Sequence, residues 1–345
     1  MKNNHAEIIF TETTGQQVLP EKYSSVFILA DENTFKHCLT LLQSLNISRE
    51  HIFIIPPGEE NKNIDTCNLV WDFLLEKKAD RKSLLINFGG GVITDLGGFA
   101  ASTFKRGISF INIPTTLMAM ADAAIGGKTG INFKNYKNQI GIFAFPEKVI
   151  INTNFLETLP ENELKSGFAE VLKYGLIKDS ELWQNVKDKM PSLKEWPVII
   201  KRCTEIKTEI TEKDPFEKGE RKILNFGHTI GHSLESYSIE YDTPHLLHGE
   251  AVAAGMIMEA YLSSKKTGLH ENELGEIAKT ISSYFRKYQI NQEQIPEIIG
   301  LMSADKKNEN QLINFSLLKN IGECTIDVIC NTNEIEEAIL YYDDL

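Results

Sequence analysis

Short runs of β-branched and aromatic residues alternate with longer stretches of helical periodicity, and this alternation restricts the fold more than any other feature. The runs are "SVFILA" at 25–30, "HIFIIP" at 51–56, "SLLINF" at 83–88 and "SFINIP" at 109–114; Ile64 to Ala79 is a representative helical stretch between them. Strands buried on both faces read as continuous apolar runs, and parallel neighbours need helical crossovers, so the pattern predicts a parallel α/β sheet. After "KVIINT" (148–153) strand-like runs thin out, and residues from about 161 to 301 read as mostly helical. Pro160 suits a boundary. The expected division is therefore a parallel-sheet domain over 1–158 and a mostly α-helical domain over 159–345. In the latter, "INFSLL" and "CTIDVI" are expected to pair as a hairpin before a terminal helix near Glu334 to Tyr342. No internal repeat or low-complexity segment interrupts this plan.

Composition removes several function classes. With a formal net charge of -12 and a pI near 5.3, the chain has no broad basic face for nucleic acid, and any anion site must be a local cluster. No apolar run reaches the roughly 18 residues a membrane helix needs, and the start "MKNNHAEIIF" lacks the apolar segment of a signal peptide, so a cytoplasmic protein without membrane contact is expected. Cys38, Cys67, Cys203, Cys324 and Cys330 form neither a disulfide framework nor a CxxC metal motif.

Two glycine-bearing segments follow predicted strands. In "LLINFGGGVITDLGGFAA", Gly89, Gly90 and Gly91 lead from a strand into a helix start, where backbone N–H groups and the helix dipole favour a phosphate. The spacing is not GxGxxG, so a structural turn competes with a phosphate or dinucleotide loop, and Asp95 one turn later competes as a solvated charge. "IPTTLMAMADAAIGGKTGIN" and "KNQIG" place Thr115, Thr116, Asp122, Lys128, Lys137 and Asn138 in what reads as glycine-rich loop, at the strand ends where α/β sheets bind ligands.

A third set of residues suits a divalent metal. "FAEVLKYG" carries Glu170, "FGHTIGH" carries His228 and His232, and "LLHGEAVAAGM" carries His248 and Glu250. Two histidines and a glutamate with an open fourth position make a common catalytic zinc set, and residues four apart on a helix share a face. Either or both of His228 and His232 could bind; a plain helix is the competing reading. Helical spacing also puts Arg221 and Asn225 on the side of His228 and His232, a mixture that suits a phosphorylated substrate.

Taken in order, "GGGVITDLGGFAASTFKRG", "IPTTLMAMADAAIGGKTGIN", "KNQIGIF", "SGFAEVLKYGLI", "RKILNFGHTIGH" and "LLHGEAVAAGM" resemble the 3-dehydroquinate synthase family over about residues 58 to 322. The resemblance implies conversion of 3-deoxy-D-arabino-heptulosonate 7-phosphate into 3-dehydroquinate and phosphate. NAD would be a recycled cofactor beside a divalent metal, zinc or cobalt, in a homodimeric enzyme with an N-terminal Rossmann-like domain and a C-terminal helical one.

Carried over by position, Glu59, Lys62, Gly89, Gly90, Gly91, Asp95, Thr115, Thr116, Asp122, Lys128 and Lys137 would serve NAD, and Glu170, His228 and His248 the metal. Lys128, Lys173, Lys207, Arg221, Asn225 and His232 would be catalytic, with Arg106, Asp122, Asn138 and one of Lys306 or Lys307 also meeting the substrate. "SADKKNENQLINFSLL" resembles the family's D-K-K stretch but lacks the basic residue often found before its strand. Alternatives sharing this apparatus are another sugar-phosphate cyclase and a metal-dependent polyol dehydrogenase.

Overall fold

The computed structural model describes residues 6–12, 22–38, 45, 47–134, 136–304 and 312–345. Contacts group the chain into two units, Met1–Leu164 with Leu193–Pro215, and Lys165–Ser192 with Phe216–Leu345.

The first unit contains β1 (Glu7–Phe10), β2 (Val26–Asp31), α1 (Glu32–Cys38), β3 (Ile52–Ile55), α2 (Ile64–Glu76), β4 (Leu84–Gly89), α3 (Gly91–Thr103), β5 (Ser109–Pro114), β6 (Lys128–Phe133), β7 (Tyr136–Phe143) and β8 (Lys148–Ile151). Six strands form one all-parallel sheet in the order β1-β8-β5-β4-β2-β3. Phe27, Leu29, Leu85 and Phe110 on one face meet Val70 and Leu74 of α2 and Ile93 and Leu96 of α3 in a closed core. Fully burying each such side chain contributes about 1.5–3 kcal/mol, and β4 is buried at every position. The chain leaves β2 toward β3 and leaves β4 toward β5 in the opposite direction. Their carboxyl ends therefore flank the crevice where open α/β sheets take ligands.

One expectation fails here. Residues read as glycine-rich loop form an antiparallel hairpin, with Lys128 opening β6 and Lys137 and Asn138 on β7, while Asp122 lies in a π-helical turn, Ala119–Ala123. Gly126 and Gly127, at φ +89° and +70°, reverse the chain just before Lys128. The hairpin also holds Gly130 opposite Gly141, and a Cβ on Gly130 would lie 2.7 Å from the Ile140 carbonyl. Strand β7 is exposed at nearly every residue, so no apolar alternation announced it. The short β1 also went unpredicted.

Helix α4 (Glu161–Ile177) runs from the first unit into the second, followed by α5 (Ser180–Val186); α6 (Trp196–Lys213) groups with the sheet. The second unit continues with α7 (His228–Tyr241), α8 (His248–Lys266), α9 (Glu271–Tyr284), α10 (Ile295–Ala304), the hairpin β9 (Leu312–Asn320) and β10 (Glu323–Asn331), and α11 (Thr332–Asp343). The late hairpin and terminal helix match the sequence reading. Helix α8 is buried around its circumference from Ala251 to Ala260 and packs on α7, α9, α11 and β9, as a central helix must. Among the described residues, no helix is long and apolar enough to cross a membrane.

The crossing of α7 and α8 is unusually close because glycines face it. A Cβ on Gly255 would lie 2.1 Å from the Gly227 carbonyl and 2.8 Å from Gly231 N, and one on Gly231 would lie 3.0 Å from the Ala251 carbonyl. From α8, the fully buried Glu259 accepts hydrogen bonds from Gly227 N (2.7 Å) and Ile230 N (3.1 Å), capping α7 at its positive end. In "GHTIGH", therefore, Gly227 and Gly231, spaced by four, let another helix approach.

Candidate active site

The second unit gathers Glu170 from α4, His228 and His232 from α7, and His248 at the start of α8. Glu170 Oε1 is 3.3 Å from His228 Nε2 and 3.6 Å from His248 Nε2. The nitrogens of His228, His232 and His248 available as ligands lie within 4.8 Å of one another. Glu170 and Lys173 are almost completely buried, and Lys173 Nζ forms an ion pair with Glu170 Oε2 one helical turn away. Burial by itself would raise the Glu170 pKa. Lys173 foremost instead holds the carboxyl well below the usual range. Burial first, then the Lys173 charge, pushes the His228 pKa down and favours the neutral ring.

This arrangement fits a cation. His228 Nδ1 faces the Phe226 carbonyl at 3.1 Å, and His248 Nδ1 faces Glu235 Oε2 at 2.9 Å. Both partners accept, so a neutral ring at either position carries its hydrogen on Nδ1 and leaves Nε2 as a bare lone pair. Two lone pairs then converge on Glu170 Oε1, itself buried and without an aligned hydrogen bond among the described residues. Three acceptors facing one another repel unless a cation lies among them, and the donor set suits zinc or a similar divalent ion. Glu250, the other acid marked in the sequence, is used differently: its Oε2 accepts from Leu247 N at 2.8 Å and caps its own helix.

Arg221 and Asn225 do not continue the α7 spacing, as the sequence had suggested. They lie in a separate 3₁₀ helix, Glu220–Asn225, and Gly227 at φ +80° turns the chain before α7 begins. Arg221 is buried, and Asn225 Nδ2 donates to Glu217 Oε1 at 3.0 Å.

In the first unit, Gly89 ends β4, Gly90 caps α3 and Gly91 opens it, at the sheet's crevice. A Cβ on Gly90 would lie 3.0 Å from Thr116 Cγ2, so the loop and the segment after β5 are closely packed. Thr115 N donates to the Gly89 carbonyl at 3.0 Å, and Thr116 Oγ1 accepts from Ala119 N at 3.2 Å. Lys62 Nζ is 2.5 Å from Asp95 Oδ2 and donates to Asn138 Oδ1 at 2.6 Å, while Lys137 Nζ is 3.2 Å from Glu59 Oε1. Asp95 is thus no solvated charge: burial raises its pKa, against the opposing pull of Lys62. Lys207, from α6, donates to the Asp122 carbonyl at 2.7 Å and pairs with its Oδ2 at 2.8 Å.

The remaining candidates are less assembled. Arg106 is exposed in a left-handed turn with Lys105, and Lys128 is exposed at the start of β6. Lys306 and Lys307 lie outside the described residues. Three residues escaped the sequence reading: Glu235, Glu259 and Asp31. The last ends β2 and caps α1 by accepting from Thr34 N at 2.9 Å. Glu235 had a signal, since it stands seven residues after His228 on the same helical stripe.

A parallel sheet with a glycine loop at its crevice, and a helical unit with a His/Glu donor set, define an α/β enzyme class that combines a phosphate-type loop with a divalent-metal site. Family models described as 3-dehydroquinate synthase N-terminal and C-terminal match residues 52–166 and 167–308. The 3-dehydroquinate synthase of Parabacteroides distasonis is 43% identical over 326 residues, 93% of this chain and 92% of that protein. The chain belongs to the 3-dehydroquinate synthase family. Among solved structures, 2-epi-5-epi-valiolone synthase from Streptomyces hygroscopicus, with NAD+ and Zn2+ bound, aligns at a TM-score of 0.84 and 25% identity, covering 100% of this chain and 98% of that one. A 2-deoxy-scyllo-inosose synthase complex aligns at 0.85 and 24% identity over 96% and 95% of the two chains, which supports the fold.

Proposed function

We propose that this chain is a phosphorus-oxygen lyase converting 3-deoxy-D-arabino-heptulosonate 7-phosphate into 3-dehydroquinate and inorganic phosphate. Family membership over nearly the whole chain supports this reading, and the convergence of His228 and His248 Nε2 on Glu170 Oε1 carries it. Glu170, His228 and His248 would hold zinc or cobalt. Gly89, Gly90, Gly91, Asp95, Thr115, Thr116, Asp122, Lys128 and Lys137 would serve NAD, with Glu59 and Lys62 toward its adenosine end. The domains would divide these tasks, the sheet domain serving the dinucleotide and the helical domain the metal and substrate. When bound, the metal would acidify a substrate hydroxyl and NAD would take a hydride and later return it.

The side chains would orient the sugar phosphate and stabilise charge as phosphate leaves. Lys128, Arg221 and His232 supply donors for a dianion, joined by Arg106 and by Lys306 or Lys307; a preorganised cation is worth most where negative charge grows. Asp122 and Lys207 hold each other in place, so Lys207 would reach a substrate oxygen from a fixed base. Lys173, Asn138 and Asn225 would fix the remaining hydroxyls. The departing phosphate, held beside the carbon it leaves, would accept the adjacent proton, so a separate strong base is unnecessary. A cytoplasmic homodimer completes the reading, in keeping with the resemblance.

Phosphate release from the heptulosonate phosphate tests the proposal. Release should require NAD, stop on chelation and return with zinc. Release that persists in metal-free protein, verified by elemental analysis, would overturn it.

A further inference from the structure

Three α7 residues, His228, His232 and Glu235, fall on one stripe at spacings of four and three, and Glu235 is buried. Its Oε2 lies 2.9 Å from His248 Nδ1, on the side of the ring opposite the Nε2 that faces Glu170. His228 is held in the same way by the Phe226 backbone carbonyl at 3.1 Å. The two rings therefore have unequal supports, one neutral and fixed by the chain path, the other an ionisable side chain.

We infer that Glu235 is a positioning residue for the metal centre, fixing the His248 tautomer and strengthening Nε2 as a donor to a divalent ion. The inference rests on the metal reading above. A carboxylate accepting from Nδ1–H excludes the tautomer that would place hydrogen on Nε2, and its charge increases electron density on the ring. No other side chain need move for this to operate, because α7 is already anchored at its start by Glu259. Glu235 itself would touch neither metal nor substrate.

The test compares zinc affinity of the intact protein, by competition with a chromophoric chelator, for wild type, Glu235→Gln, Glu235→Leu and His228→Ala. Glu235→Gln keeps an oxygen acceptor but loses the charge, whereas Glu235→Leu loses both. Zinc affinity should fall about 10-fold in the first and about 100-fold in the second, the span seen when outer partners of metal-bound histidines are removed. The visible absorption of the cobalt form should shift in Glu235→Gln while the thermal melt of its metal-free form matches wild type. A merely structural role would move the melt and leave the cobalt spectrum alone. Wild-type zinc affinity and cobalt spectrum in Glu235→Gln, with zinc lost in His228→Ala, would overturn the inference and leave the metal centre standing. Wild-type zinc binding in His228→Ala would instead overturn the metal reading. Should Glu235→Leu fail to fold, Glu235→Gln decides.

Discussion

Gly255→Ala should be among the most damaging single-methyl changes in this chain. The added Cβ would lie 2.1 Å from the Gly227 carbonyl oxygen, 2.8 Å from Gly231 N and 3.0 Å from Gly227 C, where ordinary contact begins at 3.4 Å. All three are backbone atoms of the α7 start, which no rotamer change can withdraw. Helix α7 would have to retreat by roughly 1 Å, and overpacking of this kind costs about 1–3 kcal/mol. The retreat also stretches the hydrogen bonds from Gly227 N and Ile230 N to Glu259, each worth about 1.5–3 kcal/mol when the acceptor is charged. A total loss of about 2–5 kcal/mol is expected, with lower zinc content because His228 travels with α7. Gly275→Ala is the matched control: it lies inside α9, a Cβ there meets nothing within 4 Å, and it should stabilise by about 0.5–1 kcal/mol. Chemical denaturation of both variants checks the opposite signs, provided the m-values agree with wild type. Equal or greater stability in Gly255→Ala would refute the close-crossing argument.

Further outcomes follow from individual contacts. His228→Ala should purify with far less zinc, whereas His232→Ala should keep near-normal zinc and lose about 10- to 100-fold in kcat/KM, the effect of one charge-assisted hydrogen bond; metal analysis and steady-state kinetics decide, and zinc loss in His232→Ala with retention in His248→Ala would reverse the assignment. Glu147 accepts from Lys22 Nζ (2.6 Å), Tyr23 Oη (2.6 Å) and Ser109 Oγ (2.5 Å). Burial opposes its ionisation, but these partners lower its pKa below the usual 4.5, so its stabilising contribution is complete above that value and disappears as pH falls through the folded-state value. Thermal melts should show the gap between wild type and Glu147→Gln closing below about pH 4; a gap unchanged between roughly pH 3 and 6 contradicts this.

The sheet was legible because its strands are buried on both faces: "SLLINF" and "SFINIP" carry their own signal, and β4 and β5 begin within one residue of those runs. The hairpin of β6 and β7 was not, because its glycines resemble loop and its outer strand leaves Ile140, Ile142 and Phe143 exposed. Similarly, the sequence grouped Glu170, His228, His232 and His248, which the fold brings together from three helices. It misjudged Arg221 and Asn225, since a single left-handed Gly227 breaks the helical register that linked them to His228. Supporting carboxylates were hardest to see. Glu259 reaches α7 from more than a turn beyond Gly255, and nothing local to "AVAAGMIME" marks its partner as a helix start. Glu235, by contrast, stood within "GHTIGHSLE" at a helical interval and could have been named from spacing alone.

The most direct test of the account is the number of product molecules formed per molecule of NAD supplied to cofactor-free, zinc-loaded enzyme. The hydride removed at the outset would return before product leaves, so 3-dehydroquinate should greatly exceed NAD, with no lasting absorbance from NADH. A yield capped at one product per NAD, with NADH accumulating in step, would mark a dehydrogenase and contradict the synthase reading.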